Sequence, residues 1–294
     1  MSDELNIQWY PGHMAKTRRM MLENLKLVDA VCELRDARIP ESSRNPDLDD
    51  ICGGKPRMVL LNRSDLADPA ETKRWKAALK EKGLVVVETD CKSKKGVQNV
   101  APAVRELLKE KIERYARKGQ TGRMLRVMVV GIPNVGKSTF INQISGKKGA
   151  AKAENRPGVT RGTQWIAVDK GLELLDTPGI LWPKFDDPEV GRRLAYTGAV
   201  KDTILDTETL GMGLAELLAA RYPAVLEQRY KFELDGMTDG LALVEAIGRK
   251  RGFLISGGEV DTQRAAQMLL EEFRSGKLGR LTLERPEESR EAVR

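Results

Sequence analysis

Residues 131–138 read Gly-Ile-Pro-Asn-Val-Gly-Lys-Ser and match G-x-x-x-x-G-K-[ST] in full. They follow the apolar run "LRVMVV" and open a helical pattern, which predicts a phosphate-binding loop at that bend. Glycines let backbone N–H groups close around a phosphate, and the helix N-terminus adds a favourable dipole. Well upstream, Asn62-Arg63-Ser64-Asp65 ends another apolar run, "RMVLL". It is an altered N-K-x-D, the pattern whose carboxylate reads guanine. The reader ordinarily follows the phosphate loop; here it precedes it, and that order constrains the fold more than any other feature.

Short β-branched runs alternate with helical patterns, the signature of a parallel sheet flanked by helices. Strands are predicted over 28–34, 57–61, 84–88, 125–130, 164–168 and 172–175, and helices over about 13–27, 69–82, 97–117 and 137–145. After Asp176 the character changes: no further parallel strand is predicted, and four stretches with helical spacing follow, punctuated by Pro and Gly. The reading is an α/β domain over 1–182 and a smaller all-helical domain over 183–294, with a loose tail after Pro286.

Cutting an ordinary GTPase sheet after its D-x-x-G strand, and joining its last helix to the phosphate-loop strand, produces the motif order seen here. The basic connector "RKGQTG" at 117–122 then belongs to the new join. The expected fold is a circularly permuted Ras-like P-loop GTPase domain with a mainly parallel sheet.

Chemistry assigns the candidate residues. Asn134, Val135, Gly136, Lys137, Ser138 and Thr139 wrap the nucleotide; Lys137 reaches the β/γ oxygens and Ser138 ligates Mg²⁺. Asp176, in Asp176-Thr177-Pro178-Gly179, is placed to hold the metal, and the Gly179 amide to sense the γ-phosphate, where only glycine allows close approach. Thr160, in "RPGVT", is the candidate switch threonine for Mg²⁺ and γ-phosphate, with Thr163 as the alternative. Asp65 accepts from the guanine N1–H and exocyclic amine, a pair adenine cannot offer. Asn62 ties the reader to the phosphate loop, Arg63 stacks its stem on the base, and Cys91 and Lys92 sit on the second base-contacting loop. The cofactors expected are GTP/GDP and Mg²⁺.

In Ras-like enzymes a glutamine after D-x-x-G orients the attacking water; here that position is Ile180. A helix of roughly 14 residues spans about 21 Å, and a seven-residue strand about 23 Å. If helix 13–27 packs antiparallel to strand 28–34, its start returns to the nucleotide edge. That start carries His13, the only histidine in the chain, which can orient or deprotonate water near neutral pH. Arg35 and Arg38 are rival charge stabilisers, an external partner is another source, and an exposed histidine without a role is the plain alternative.

The net charge is +7, yet residues 183–294 hold 17 Lys+Arg against 20 Asp+Glu. The positive excess therefore lies in the first 182 residues, around 16–19, 92–95 and 109–126, and suggests a polyanionic partner. Three cysteines without C-x-x-C spacing argue against a disulfide framework. The early acids of the N-terminus and the lack of a long apolar run point to a cytoplasmic protein without a membrane partner.

In combination, "QWYPGHMAK", "DARIP", "SSRNP", "GIPNVGKST", "RPGVT" and "LLDTPGILWPK" closely resemble the bacterial ribosome biogenesis GTPase A (YlqF/RbgA) family. The resemblance implies a GTPase acting late in large-subunit (50S) assembly, stimulated by that subunit, with the helical domain on ribosomal RNA. It implies a catalytic role for His13 and, through Asn134, a potassium ion as second cation. A monomer without a DNA partner is expected. Arg63, in place of lysine, and Cys91, in place of serine, depart from the family at the base. A competing reading is an RNA-binding assembly factor using GTP only as a conformational ligand; a third, an ATPase, conflicts with Asp65.

Overall fold

The order of strands across the sheet accounts for the reversed motifs. The computed structural model describes residues 11–146, 164–179, 187–200 and 206–288, with side chains from residue 18 onward. Six strands form one sheet: β1 (Ala30–Asp36), β2 (Arg57–Asn62), β3 (Val85–Glu88), β4 (Leu125–Gly131), β5 (Gln164–Asp169) and β6 (Leu172–Asp176). Their spatial order is β3-β2-β1-β4-β6-β5. Every pairing is parallel except β5 with β6. The phosphate-loop strand β4 thus sits between β1 and β6, and the reader strand β2 flanks β1 on the far side. Both motifs leave their strands at the same C-terminal edge, where ligands of open α/β sheets bind.

The central strands β1 and β4 are buried along nearly their whole length, as their apolar runs require. On one face, Met21 and Leu25 of α1 (Pro11–Leu25) pack with Leu48 and Ile51 of α2 (Asp47–Cys52) against Val31, Met128, Val130 and Leu175. On the other, Trp75 and Leu79 of α3 (Pro69–Glu81) cover Val59, Leu61 and Val86. Asp68 caps α3 by accepting from the Ala70 N–H at 2.8 Å, and Pro69 supplies a fixed φ at its first position. Each fully buried Leu or Val of this core contributes about 1.5–3 kcal/mol.

Two elements differ from the sequence reading. The helix expected over 97–117 is a 3-10 turn at Val97–Asn99, then α4 (Val100–Leu107) and α5 (Lys109–Arg117). They part at Leu108, whose φ/ψ of −104/14 leaves the helical region. The short α2 had no counterpart among the predicted helices. Phosphate-loop helix α6 spans Lys137–Ile144.

The described residues of Gln8–Lys184 and Glu284–Arg294 form one compact unit, those of Phe185–Leu283 another. Just ahead of Pro286 the chain is anchored to the sheet unit. The buried Glu284 carboxylate accepts from the Glu41 N–H at 2.7 Å and the Ser42 N–H at 3.0 Å, and from the Ser42 hydroxyl. The Trp75 indole donates to the Glu284 carbonyl at 3.1 Å, and Arg74 pairs with Glu287 at 2.6 Å. Backbone donors 242 residues away in sequence, absent from any local pattern, hold this strap on the sheet unit.

The named elements described in the second unit are helices, α7 (Pro188–Tyr196), α8 (Thr207–Arg221), α9 (Pro223–Tyr230), α10 (Gly240–Arg251) and α11 (Thr262–Ser275), with an isolated antiparallel bridge between Leu254 and Val260. Asp187, Asp206, Asp239 and Asp261 each cap a helix by accepting a backbone N–H. α8 and α11 approach so closely that a Cβ on Gly211 would lie 2.4 Å from Ala266 Cβ. Part of the basic sequence here is structural: Arg251 lies 3.5 Å from buried Glu272, and Arg274 donates to the Ala195 and Tyr196 carbonyls at 2.8 and 3.1 Å.

Candidate active site

β4 ends at Gly131, and the chain turns through Asn134 in the left-handed region at φ 58, a conformation asparagine tolerates. Gly136 follows at φ 99 as the residue before α6, and a Cβ there would lie 2.4 Å from Asn62 Nδ2. Glycine is thus required twice over, by backbone angle and by space. Lys137 is the first helical residue and is buried, its ammonium paired with Asp176 at the end of β6. Asp176 is the register partner of Val129 in β4, so the sheet itself places the carboxylate beside the loop. Thr177 fixes the exit from β6 by donating its hydroxyl to the Val129 carbonyl at 2.7 Å. A Cβ on Gly179 would lie 3.3 Å from Pro133, so this turn also runs against the phosphate loop.

The reader loop closes over the same place. Asn62 donates to the Val135 carbonyl at 2.8 Å and accepts from the Cys91 N–H at 3.1 Å and the Thr89 hydroxyl at 3.3 Å. One buried amide therefore ties together the reader, the second base loop and the phosphate loop. Arg63, at φ 59, donates to the Asn134 carbonyl at 2.6 Å. Burial, then the positive charge of Arg38, hold its pKa below the ordinary arginine value, against Asp36 and Asp65. Asp65 is exposed on the rim, where a carboxylate can meet a base. In the loop 89–95, Asp90 accepts from the Lys92 and Ser93 N–H groups at 2.9 and 3.2 Å; burial works against its charge, but these bonds keep its pKa below the usual carboxylate value. Cys91 is buried and Lys92 exposed.

The structure brings Asn62, Arg63, Cys91, Asn134, Val135, Gly136, Lys137, Asp176 and Gly179 to one end of the sheet, with Ser138 and Thr139 on the first turn of α6. Thr160 and Ile180 lie outside the described residues; His13 belongs to the first turn of α1 by its backbone, and its side chain lies outside them too. Arg35 and Arg38 do not serve as the charge stabilisers considered above. Both are fully buried, Arg35 bound to Glu33 at 2.7 Å and Arg38 to Asp36 through two bonds of 2.7 and 3.0 Å. Residues i and i+2 share a strand face, which is the signal that announces the first pairing. Thr177 and Thr89 were not singled out by sequence, though a hydroxyl buried at a strand end requires a partner.

A buried ammonium at the loop mouth suits phosphate oxygens. The Asp176 carboxylate and Ser138 hydroxyl offer only hard oxygen donors, which suits Mg²⁺. A sheet of this order, with a guanine reader tied to a phosphate loop that follows it in the chain, defines a circularly permuted P-loop GTPase.

Comparison with known proteins narrows the class. Residues 126–210 match the family model described as 50S ribosome-binding GTPase. Over 287 residues the chain is 49% identical to ribosome biogenesis GTPase A of Bacillus cereus, covering 98% of this chain and 96% of the relative. It is 33% identical to the Thermotoga maritima protein of the same name over 282 residues, covering 96% and 95%. It is also 37% identical to mouse mitochondrial ribosome-associated GTPase 1 over 298 residues, covering 95% and 90%. The crystal structure of GNP-bound YlqF from T. maritima aligns with TM-score 0.62 at 29% identity over 92% of this chain and 99% of that one. A GDP-bound YlqF structure aligns with TM-score 0.65 at 29% identity, covering 90% and 98%. The chain belongs to the ribosome biogenesis GTPase A family: it is a guanine-nucleotide-binding enzyme that hydrolyses GTP in ribosome assembly.

Proposed function

We propose that this GTPase serves assembly of the large (50S) ribosomal subunit, binds its ribosomal RNA, and hydrolyses GTP in response to that particle. The observation that carries the reading is the Asn62 link between guanine reader and phosphate loop, in a chain whose relatives are named for ribosomes. Asp65 reads the guanine N1–H and amine, Arg63 flanks the base, and Cys91 and Lys92 close the second base loop. Lys137 and the backbone of residues 134–139 hold the phosphates. Ser138, Thr160 and Asp176 would hold Mg²⁺, which when bound neutralises charge on the phosphate oxygens. Asn134 would contact a potassium ion. His13 orients or deprotonates the attacking water, and Gly179 senses the γ-phosphate. The mainly helical part, 183–294, contributes to RNA binding. We further propose a cytoplasmic monomer without DNA or membrane partners; no described helix is long and apolar enough to cross a membrane.

A second reading, GTP as conformational ligand only, draws on the burial of Arg35 and Arg38, which removes two charged candidates from catalysis. Steady-state hydrolysis in KCl, with and without purified large subunits, separates the two. The proposal expects stimulation of tenfold or more, lost in His13→Ala and weakened when NaCl replaces KCl. Subunit-independent turnover that His13→Ala leaves unchanged would sink it.

A further inference from the structure

The sheet has a second functional-looking edge. The nucleotide motifs leave the C-terminal ends of β2, β4 and β6. At the N-terminal ends of β1, β2 and β4 lies a cavity of about 510 Å³. A seven-residue strand separates the two edges by about 23 Å. Lys26 precedes β1, Lys55 precedes β2, Arg123 and Arg126 lie at the start of β4, and Lys111 projects from α5. Against these five cations the lining holds one acid, Asp29, while Glu173 outside it pairs with the Arg126 guanidinium at 2.5 Å. The Asp29 carboxylate is already engaged, by the Arg126 N–H at 2.8 Å and the Lys111 ammonium at 2.5 Å.

The cations are gathered, not scattered. The Tyr115 ring carries the Arg123 guanidinium 4.5 Å from its centroid and the Lys111 ammonium 5.8 Å from it. Burial, then the neighbouring Lys111 charge, depress the Lys55 pKa against Asp29, as expected where ammonium groups crowd without enough anions. Leu27 in the lining is exposed (51%), and beyond the cavity Arg126 stacks over the ring of Trp165, which lies opposite Leu175 of β6, at 4.9 Å. Arg114, Arg117 and Lys118 extend the positive surface along exposed positions of α5 and its end. Phosphates need such cations. A concave site also suits a protruding nucleic-acid backbone better than a flat lipid surface.

We propose that this cavity is an RNA-backbone site on the sheet unit itself, remote from the nucleotide, taking phosphodiesters of structured RNA with a base or ribose against Leu27. The choice of RNA rests on the ribosomal reading above. The permutation's new join, α5 to β4, supplies its wall, so the rearranged chain order is itself what builds the site.

The test uses the full chain and the Lys26→Glu/Arg123→Glu variant, both side chains being exposed and remote from the nucleotide edge. Anisotropy of a fluorescein-labelled 20-nucleotide RNA hairpin is measured from low to moderate KCl. Nucleotide affinity, basal hydrolysis and half-saturation by large subunits are measured alongside. The proposal expects hairpin affinity to fall tenfold or more, the salt slope to drop by about two, and the subunit concentration for half-stimulation to rise. Nucleotide affinity and basal hydrolysis stay unchanged and report an intact fold; should they fall, Lys26→Gln/Arg123→Gln carries the same test. Equal hairpin and subunit binding by variant and wild type overturns the inference while leaving the ribosomal reading intact. A wild type that subunits do not stimulate overturns that reading alone, provided hairpin binding still depends on the cavity. Binding to anionic phospholipid vesicles but not to the hairpin overturns the assignment to RNA.

Discussion

The side-chain amide of Asn62 donates to the carbonyl of Val135 at 2.8 Å across 73 residues of sequence. In the same position its oxygen receives the Cys91 N–H, so the base loops cannot shift without disturbing the phosphate loop. Asn62→Ala leaves a buried carbonyl and a buried N–H without their partners, at about 1–3 kcal/mol for each. The expected outcome is a loss of about 2–6 kcal/mol by urea denaturation and GDP affinity weakened tenfold or more. Fluorescent-GDP titration checks the second; unchanged affinity would show that the loops hold their places independently.

The tail makes a second long-range closure. Glu284→Gln places an amide NH₂ among donors that now face a carboxylate, while the packing volume stays the same. A charge-assisted bond contributes about 1.5–3 kcal/mol, so the variant should unfold at distinctly lower urea. Deletion of 284–294 should cost more, because the Trp75 and Arg74 bonds go with it. Stability equal to wild type in both would mean the strap adds nothing to the sheet unit.

These two cases also show where sequence is legible. The phosphate loop, six strands and the permuted order can be read because motif spacing and β-branched runs are local. The break at Leu108 cannot, since neither Pro nor Gly marks it and only packing separates α4, which buries Val100 and Val104, from α5, which buries none. Helix α2, six residues long, is too short for a helical period to register. Glu284 reads as a surface acid because its donors lie 242 residues away. Arg35 and Arg38 looked available to a phosphate; their acids two residues upstream claim them.

Asp36 gives the acid behaviour of this region. Burial opposes its charge, but Arg38, through charge and hydrogen bonds, and then Arg63 outweigh that and lower its pKa below the usual 3.8. A carboxyl with a depressed folded pKa adds stability above its unfolded pKa of about 4 and loses it as pH falls through the folded value. Asp36→Asn should therefore flatten the acid limb of the stability curve below about pH 4. At neutral pH it strands a buried guanidinium, with an expected cost of about 3–5 kcal/mol. Parallel acid limbs for variant and wild type would remove Asp36 from the account.

The three cysteines carry the last prediction, because one of them lines the base loop. Cys32, Cys52 and Cys91 are all buried. Burial pushes the Cys91 thiol up to about 12 and Cys52 to about 11, and raises Cys32 as well; Thr89 opposes the first shift and Arg57 the second. Only the thiolate attacks a disulfide reagent. At pH 8 a thiol of pKa about 11 is ionised to roughly one part in a thousand. Native protein should thus leave all three cysteines unmodified by Ellman's reagent over minutes and expose them together in guanidinium. Rapid modification of one thiol, suppressed by GDP, would place Cys91 at an open base loop instead of behind it, and the Asn62 anchor would then need another neighbour.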